Sequence, residues 1–382
     1  MSPSINAPTN VVTAQRPANA LIWDVFCHVV DNLGDIGVCW RLCADLAERG
    51  QTVRLWIDEP GALHWMAPGA LEGRMDGVQV LYWTDPLAPD LLAHLVPADV
   101  WIETFGCHPP PEVQAHRATA IAAGGTLPVW VNLEYVSAEA YVERSHRLPS
   151  LVSSGPLRGM GQWFFYPGFT QATGGLLRET DLAARQTSFN AAAWLVAQGL
   201  ACAARPRASL FCYEPAALPA LLQQAGQDHP SDWLITTGRA AEAVSAAQAQ
   251  GLQTGQAALH HLPRLTQRDY DHLLWACDLN FVRGEDSLVR ALWAGKPLVW
   301  HIYPQHDNAH HAKLEAFLDW LQAPDSLRAF HRLWNGITPV HSAWPGWDTV
   351  DSWRTCVLAA RARLLAQPDL TSQLLEFVAE KR

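Results

Sequence analysis

Short apolar runs alternate with helical patterns along almost the whole chain, and this alternation limits the folds that the chain can adopt. The strand-like runs occupy residues 21–30, 52–57, 78–83, 100–105, 128–135, 208–213, 233–237, 279–282 and 298–303. Helical patterns lie between several of them, notably at residues 38–49 and 112–123. Strands that alternate with helices favour parallel sheets joined by right-handed crossovers. The sequence therefore predicts an α/β fold built from βα repeats.

The length of the chain and one irregular stretch predict two domains. With 382 residues the chain exceeds the size of one ordinary core. Between residues 137 and 179 the pattern breaks into glycine, proline and aromatic residues, and a helical pattern resumes at residues 186–203. A loop-rich stretch of this length usually carries function or joins domains. We predict a disordered N-terminus at residues 1–20, a first domain at 21–185, a second domain at 186–365, and a C-terminal helix within 366–382 that is free to pack back on the first domain.

Composition and charge limit the cellular compartments and the classes of partner that we expect for this protein. The net charge of −10 argues against a nucleic-acid surface, which needs clustered Lys and Arg, and favours a cationic partner or substrate group. The first twenty residues lack an apolar signal core, and no run approaches membrane-spanning length. The eight cysteines stand singly in apolar stretches without a CxxC pair, as is typical of buried, reduced thiols. We expect a soluble, cytoplasmic protein without nucleic-acid or membrane partners.

Two carboxylates follow the first predicted strand. Asp31 and Asp35 lie four residues apart in a loop with two glycines, at the carboxyl end of the strand, where open α/β sheets bind ligands. The pair could act as a general base or hold a cation. Asp35 could equally cap the next helix and Asp31 form a turn. The loop lacks the GxGxxG pattern, so a nicotinamide cofactor is not expected.

A second polar turn joins the run at residues 279–282 to a short helical pattern. The turn contains Arg283, Glu285, Asp286 and Ser287. Free backbone N–H groups, the positive end of a helix and a neighbouring arginine suit an anion such as a diphosphate. The two acids would repel phosphate unless they face hydroxyls or ring atoms. The segment therefore predicts a ligand with a phosphate and a polar, sugar-like part.

Aromatic and amide side chains occur at two further places in the second domain. Phe211 and Tyr213 end a predicted strand, and Gln267 and Tyr270 open a predicted helix that runs to residue 277. Aromatic rings can sandwich a planar base, and a glutamine amide can pair with its edge. Packing in the core is the more frequent role of such residues, so both interpretations stay open on the residues alone.

Three histidines raise the question of a metal. His306, His310 and His311 lie on adjacent turns after the last predicted strand. This spacing invites a zinc site, but the histidines come without a cysteine or a confirmed carboxylate as a further ligand. We therefore predict no metal site.

Two longer motifs connect these features with a known family. The two βα domains, the first-loop carboxylates and the diphosphate segment together resemble GT-B glycosyltransferases, whose Rossmann-like domains face a central cleft. Residues 23–42 and 281–305 have the sequences WDVFCHVVDNLGDIGVCWRL and FVRGEDSLVRALWAGKPLVWHIYPQ. Both motifs resemble the EarP family, protein-arginine rhamnosyltransferases that modify elongation factor P. The resemblance covers nearly the whole chain from residue 21.

The resemblance implies an activity and a set of site residues. It implies an inverting, metal-independent transfer of L-rhamnose from dTDP-β-L-rhamnose to one arginine of elongation factor P, without a cofactor. The acceptor would bind the first domain and the donor the second. Asp31 and Asp35 match the family's first-loop aspartates, with Asp35 the better candidate for the general base. The remaining implied residues are Glu285 as a further catalytic carboxylate, Arg283, Asp286 and Ser287 around the diphosphate and sugar, and Phe211, Tyr213, Gln267 and Tyr270 around the thymine nucleotide.

Other functions remain open on the same fold. The chain could glycosylate a small molecule or a lipid carrier, although it lacks an obvious basic amphipathic membrane face. A regulator that binds nucleotide sugars without turnover would not need the first-loop carboxylates. A sugar-nucleotide epimerase would not need a surface for a protein acceptor.

Overall fold

The structure is a computed structural model that describes residues 20–29, 34–83, 87, 89–200, 205–304, 308–340 and 343–382. The expectations for the N-terminal tail up to residue 19, for Asp31 and for His306 lie outside the described residues. Within the described ranges, no helix combines the length and the apolar character that crossing a membrane requires.

The first sheet has seven strands in the order β3-β2-β1-β4-β5-β7-β6. They are β1 (Ile22–Cys27), β2 (Thr52–Ile57), β3 (Val78–Tyr82), β4 (Val100–Thr104), β5 (Val129–Leu133), β6 (Pro149–Leu151) and β7 (Gly161–Phe165). All neighbours pair in parallel except β6 and β7. Side chains alternate across the sheet, so Trp23 and Val25 enter the core on one face while Ile22 and Phe26 enter the core on the other. Cover on both faces explains why β1, β4 and β5 are buried at every position.

The second sheet has five parallel strands in the order β10-β9-β8-β11-β12. They are β8 (Arg207–Leu210), β9 (Ser231–Ile235), β10 (Ala257–His261), β11 (Leu279–Arg283) and β12 (Leu298–His301). Trp233 and Phe281 belong to a large core on one face, and Leu234 packs with Leu273 on the other. This sheet is therefore a second βα layer with its own core.

Helices cover both sheets and connect them. In chain order they are α1 (Gly34–Glu48), α2 (Leu63–Met66), α3 (Pro89–Ala93), α4 (Pro111–Ala122), α5 (Ala140–Ser145), α6 (Leu182–Ser188), α7 (Ala191–Ala197), α8 (Leu218–Asp228), α9 (Arg239–Ala249), α10 (Gln267–Ala276), α11 (Gly284–Ala294), α12 (Ala309–Leu321), α13 (Asp325–Trp334), α14 (Trp347–Ser352), α15 (Arg354–Leu365) and α16 (Leu370–Lys381). A short 3₁₀ helix occupies Pro60–Ala62. The α/β class predicted from the sequence is confirmed.

Several local predictions differ from the structure, among them the strand predicted at 208–213, which ends at Leu210, so Phe211 and Tyr213 follow it. Helix α1 begins at Gly34, four residues before the predicted start, so Asp35 and Gly37 are helical and not in a loop. The predicted helix at 186–203 is broken, because Phe189 is extended and the Asn190 side chain accepts a hydrogen bond from the Ala193 amide (3.0 Å), which starts α7. The irregular stretch at 137–179 contains α5, β6 and β7, which extend the first sheet.

The last helix returns to the first sheet. Leu370, Leu374 and Phe377 of α16 pack into a core of that sheet. Asp369, which caps the helix, pairs at 2.8 Å with Arg49, the residue that follows α1. The predicted division near residue 185 falls within α6, and as a domain boundary it stays a prediction.

Candidate active site

A cleft of about 590 Å³ lies between the carboxyl ends of the two sheets. Parallel strands direct ligands to this end, and the volume is in the range of small-molecule sites. The first sheet's half contributes Gly34, Arg41 and Trp65 to the wall. The residues predicted for the donor that line the cleft are Phe211, Gln267, Tyr270, Arg283, Asp286 and Ser287.

The start of α11 presents its amide groups to the cleft. Gly284 has a φ of +64°, which favours glycine and lets the chain turn directly from β11 into the helix. The Arg283 amide donates to Ser287 Oγ at 2.9 Å, and Trp300 Nε1–H donates to the Gly284 carbonyl at 2.9 Å. These bonds fix the turn, so the positive end of the helix has a defined direction.

Arg283 is held between aromatic rings. Its guanidinium lies 4.6 Å from the ring centre of Phe211 and 4.8 Å from that of Tyr213, and Nη1 donates to the Cys212 carbonyl at 3.4 Å. Phe211 lines the cleft, whereas Tyr213 is buried and has Arg239 at 4.7 Å on its ring. Tyr213 therefore lies below the cleft and supports the Arg283 side chain.

Gln267 and Tyr270 lie together in the first turn of α10. The Thr266 side chain caps this helix by accepting from the Asp269 amide at 3.0 Å. Gln267 Nε2 donates to the carbonyl of Gly37 in α1 at 2.8 Å, and its second N–H and its oxygen, which bond to none of the described residues, can bind a ligand. The Tyr270 ring packs edge-on against Phe211 at 5.4 Å, and burial raises the pKa of Tyr270, so the phenol stays protonated.

The two acids at the start of α11 are both paired with cations from other elements. Lys313 Nζ of α12 lies 2.6 Å from Glu285 Oε1, and Arg41 Nε of α1 lies 3.3 Å from Asp286 Oδ1. Burial raises the pKa of Asp286, and the charge of Arg41 opposes that rise. Because each negative charge is offset, the repulsion that these acids would exert on a diphosphate is reduced.

Asp35 occupies the first turn of α1 and is 4% exposed. Its Oδ1 accepts a hydrogen bond from the hydroxyl of Tyr135, at 3.2 Å. The Tyr135 ring stacks on Phe105 with the ring centres 4.3 Å apart. Lys313 Nζ, which pairs with Glu285, lies 5.7 Å from the centre of the Tyr135 ring. Burial, together with the charges of Asp35 and Glu285, raises the pKa of Tyr135, so its hydroxyl remains a donor. Tyr135 thus connects the acid of the first half with the Glu285–Lys313 pair of the second.

The sequence did not reveal three of these partners. Tyr135 follows a strand of the first sheet, so the rule that placed ligands at strand ends could have found it. Arg41 and Lys313 lie in the middle of helices and carry no local signal of a site.

The residues that the structure describes contain neither a metal-binding cluster nor a paired cysteine. Within those ranges, no group of three or more His, Cys, Asp or Glu side chains could hold a metal ion. The rings of His310 and His311 lie against each other at 4.2 Å on α12. The cysteines in the described ranges are free thiols, and burial raises the pKa of Cys43 and Cys107.

Known proteins share both the sequence and the fold. The family model of the elongation factor P (EF-P) rhamnosyltransferase EarP matches residues 23–379. The chain is 41% identical to a protein-arginine rhamnosyltransferase of Pseudomonas aeruginosa, over 94% of this chain and 99% of the relative. A relative of the same name from Pseudomonas putida is 42% identical, over 93% of this chain and 98% of its own. A structure that describes EarP-mediated arginine glycosylation of translation elongation factor EF-P is 29% identical, with a TM-score of 0.62 over 95% of this chain and all 100% of its own. The two βα sheets on either side of the cleft are the GT-B fold.

Proposed function

The chain belongs to the EarP family of elongation factor P rhamnosyltransferases and is a glycosyltransferase, and we propose that it transfers L-rhamnose from dTDP-β-L-rhamnose to an arginine side chain of elongation factor P. The transfer would invert the configuration at the anomeric carbon of the sugar. The observation that carries the proposal is the cleft itself. On one side the buried carboxylate Asp35 lies in the first turn of α1, next to the cleft-lining Gly34, and on the other side Arg283 and the start of α11 line the cleft. The first suits a guanidinium and the second a diphosphate.

Asp35 is the group that would prepare the acceptor. A guanidinium has a pKa above about 12 and delocalised lone pairs, so it is a poor nucleophile. A carboxylate can orient it by paired hydrogen bonds and accept its proton as the new bond forms. The hydroxyl of Tyr135 holds one oxygen of Asp35 and so fixes the plane of the carboxylate. Asp31, outside the described residues, remains the proposed second carboxylate of this half.

The second half would stabilise the leaving group. As a guanidinium nitrogen bonds to the anomeric carbon, the bond from that carbon to the diphosphate oxygen breaks and negative charge develops on dTDP. The α11 amides, Arg283 and Ser287 line the cleft where this charge would appear. These groups supply positive potential from the protein, so we propose that the step needs no metal ion. Chelation by EDTA should therefore leave the rate unchanged.

The base and the sugar would occupy the rest of the second half. Phe211 and Tyr270 offer ring faces and edges to the thymine, and the remaining amide groups of Gln267 can pair with its edge. Glu285, held by Lys313, lies in the first turn of α11, between the cleft-lining residues Gly284 and Asp286 in sequence. We assign it to orienting the sugar beside the acceptor.

Intact-mass spectrometry tests the proposal directly. The protein is incubated with dTDP-β-L-rhamnose and purified elongation factor P, and the acceptor should gain the mass of one deoxyhexose. Peptide mapping should place the sugar on one arginine, and the Arg→Lys variant of the acceptor at that site should gain nothing. Hydrolysis or epimerisation of the donor without a mass gain would contradict transfer to protein. The proposal implies a cytoplasmic protein, because translation factors act there.

A further inference from the structure

Helix α1 contacts α10 and α11 of the second half through residues that follow Asp35. Gly37 and Arg41 lie one turn apart on the same side of the helix, which packs against α11. A Cβ at Gly37 would stand 3.2 Å from Asp286 Oδ2 and 3.4 Å from Gln267 Nε2, so a larger residue would crowd both. The glycine therefore permits a close approach between the two halves.

Arg41 contacts the same two donor-side residues. Its side chain is 4% exposed and forms part of the cleft wall. Nη2–H donates to the Gln267 carbonyl at 3.1 Å, while Gln267 Nε2 donates back to the Gly37 carbonyl at 2.8 Å. Nε lies 3.3 Å from Asp286 Oδ1. The first half thus holds Gln267 by its backbone and its amide, and Asp286 by its carboxylate.

A buried ion network keeps the Arg41 guanidinium in this position. Its other contacts are Asp271 of α10 at 3.1 Å and Glu179 at 3.2 Å. Arg290 of α11 pairs with the same two acids, at 2.7 Å and 2.8 Å. Although burial opposes it, Arg290 and Arg41 hold the pKa of Asp271 well below its usual range. With both Nη groups anchored, the guanidinium charge stays beside Asp286, as an ion pair without a hydrogen bond from Nε.

We propose that Arg41 is a positioning residue of the donor site that acts from the opposite half of the molecule. It orients Asp286 and Gln267 for the nucleotide sugar, so the donor site is complete only when α1 is packed against α10 and α11. Because Asp35 is on the same helix, this contact also sets the spacing between the acceptor's base and the donor. The inference rests on the proposed function and adds a residue to that site.

The test compares two arginines of one ion network. Arg185 contacts Asp271 at 3.3 Å and Asp181 at 3.0 Å, and it serves as the matched control. We expect Arg41→Gln to raise the KM for dTDP-β-L-rhamnose about 10- to 100-fold, the range for losing a charged hydrogen bond, with a fall in kcat. Arg185→Gln should lower the melting temperature to a similar extent and leave the donor KM within about twofold. Arg41→Lys, which keeps the charge, should recover part of the donor KM.

A double-mutant cycle separates positioning from stability. In an Asp286→Asn background, Arg41→Gln should change the donor KM less than about threefold, because its partner is already lost. Equal effects of Arg41→Gln and Arg185→Gln on the donor KM would overturn the inference. If Arg41→Gln does not fold, a wild-type donor KM in Arg41→Lys and in Asp286→Asn would overturn it as well. Absence of transfer by the wild-type protein would instead contradict the proposed function, and this inference with it.

Discussion

The two sheets present opposite chemistry at the edges that face each other. At the first sheet, the carboxyl ends of the strands carry acids and form what we call the acidic edge: Asp35, Asp58, Glu103 and Glu134. At the second sheet, they carry cations and an aromatic ring and form what we call the cationic edge: Arg239, Arg264, Arg283 and Phe211. Burial raises the pKa values of Glu103 and Glu134, so the acidic edge is partly desolvated before any ligand arrives.

This difference shows how one repeated layer can serve two substrates. Both sheets place ligands at the ends of parallel strands, as the fold requires. The side chains at those ends then decide that a cationic acceptor suits the first and an anionic donor the second. Acids at the second sheet's end are paired with cations: Glu285 with Lys313, Asp286 with Arg41, and Glu214 with Arg239.

The largest effect should come from the acidic edge. Asp35→Asn keeps the hydrogen bond from Tyr135 but removes the proton acceptor, so kcat should fall about 10²- to 10⁴-fold in the mass-spectrometric transfer assay. Glu59→Gln, an exposed carboxylate on the cleft wall, is the control and should stay within about twofold. Normal turnover of Asp35→Asn would remove Asp35 from the role of base.

A smaller but separate effect should come from the cationic edge. Arg283→Gln removes a charge that lies on two aromatic rings at the end of the cleft where we propose that the diphosphate binds. We expect the KM for dTDP-β-L-rhamnose to rise about 10- to 100-fold, with Arg283→Lys in between. An unchanged donor KM in both variants would show that the diphosphate binds elsewhere.

Phe211 should contribute less than either charge. Phe211→Ala removes one ring face from the cleft, and the affinity for dTDP in calorimetry should fall about 3- to 10-fold. Phe211→Tyr keeps the ring and should bind nearly as the wild type does. Equal affinity of the alanine variant would mean that Phe211 only packs against Tyr270.

The smallest effect concerns pH. Burial lowers the pKa of His301, at the end of β12, to about 3, and its Nδ1 accepts from the Tyr213 amide at 3.3 Å. The cationic edge therefore owes its charge to arginines, and the Kd for dTDP-β-L-rhamnose should change less than about twofold between pH 6 and 8. A tenfold tightening towards pH 6 would contradict this. The same shift weakens the fold in acid, because the unfolded chain binds a proton near pH 6.5 that the folded chain binds only near 3.

Much of the fold could be predicted because buried parallel strands leave a plain signal. The strand and the helix around Arg283 matched the structure, since β11 is wholly buried, but α11 begins at Gly284, so Glu285, Asp286 and Ser287 lie in the helix and not in a separate turn. Strand β10 was not predicted, because it is an edge strand of half-exposed residues that includes His260 and His261 and forms no apolar run. The early start of α1 was not predicted, because Gly37 suits a loop in sequence but serves close packing in space.

The candidate site was predictable only where its residues follow a strand. Asp35, Arg283 and Phe211 satisfy that rule, and the structure places them around one cleft or beside it. Arg41 and Lys313 act through contacts with Asp286 and Glu285 that are distant in sequence and exist only once the two halves meet. No local pattern could have indicated them.

Crossed calorimetry tests the division between the two edges most directly. The affinity for dTDP is measured in the wild type, in Asp35→Asn and in Arg283→Gln under one set of conditions. We predict wild-type affinity in Asp35→Asn, within about twofold, and a loss of at least about tenfold in Arg283→Gln. Weakened binding in Asp35→Asn together with unchanged binding in Arg283→Gln would contradict it.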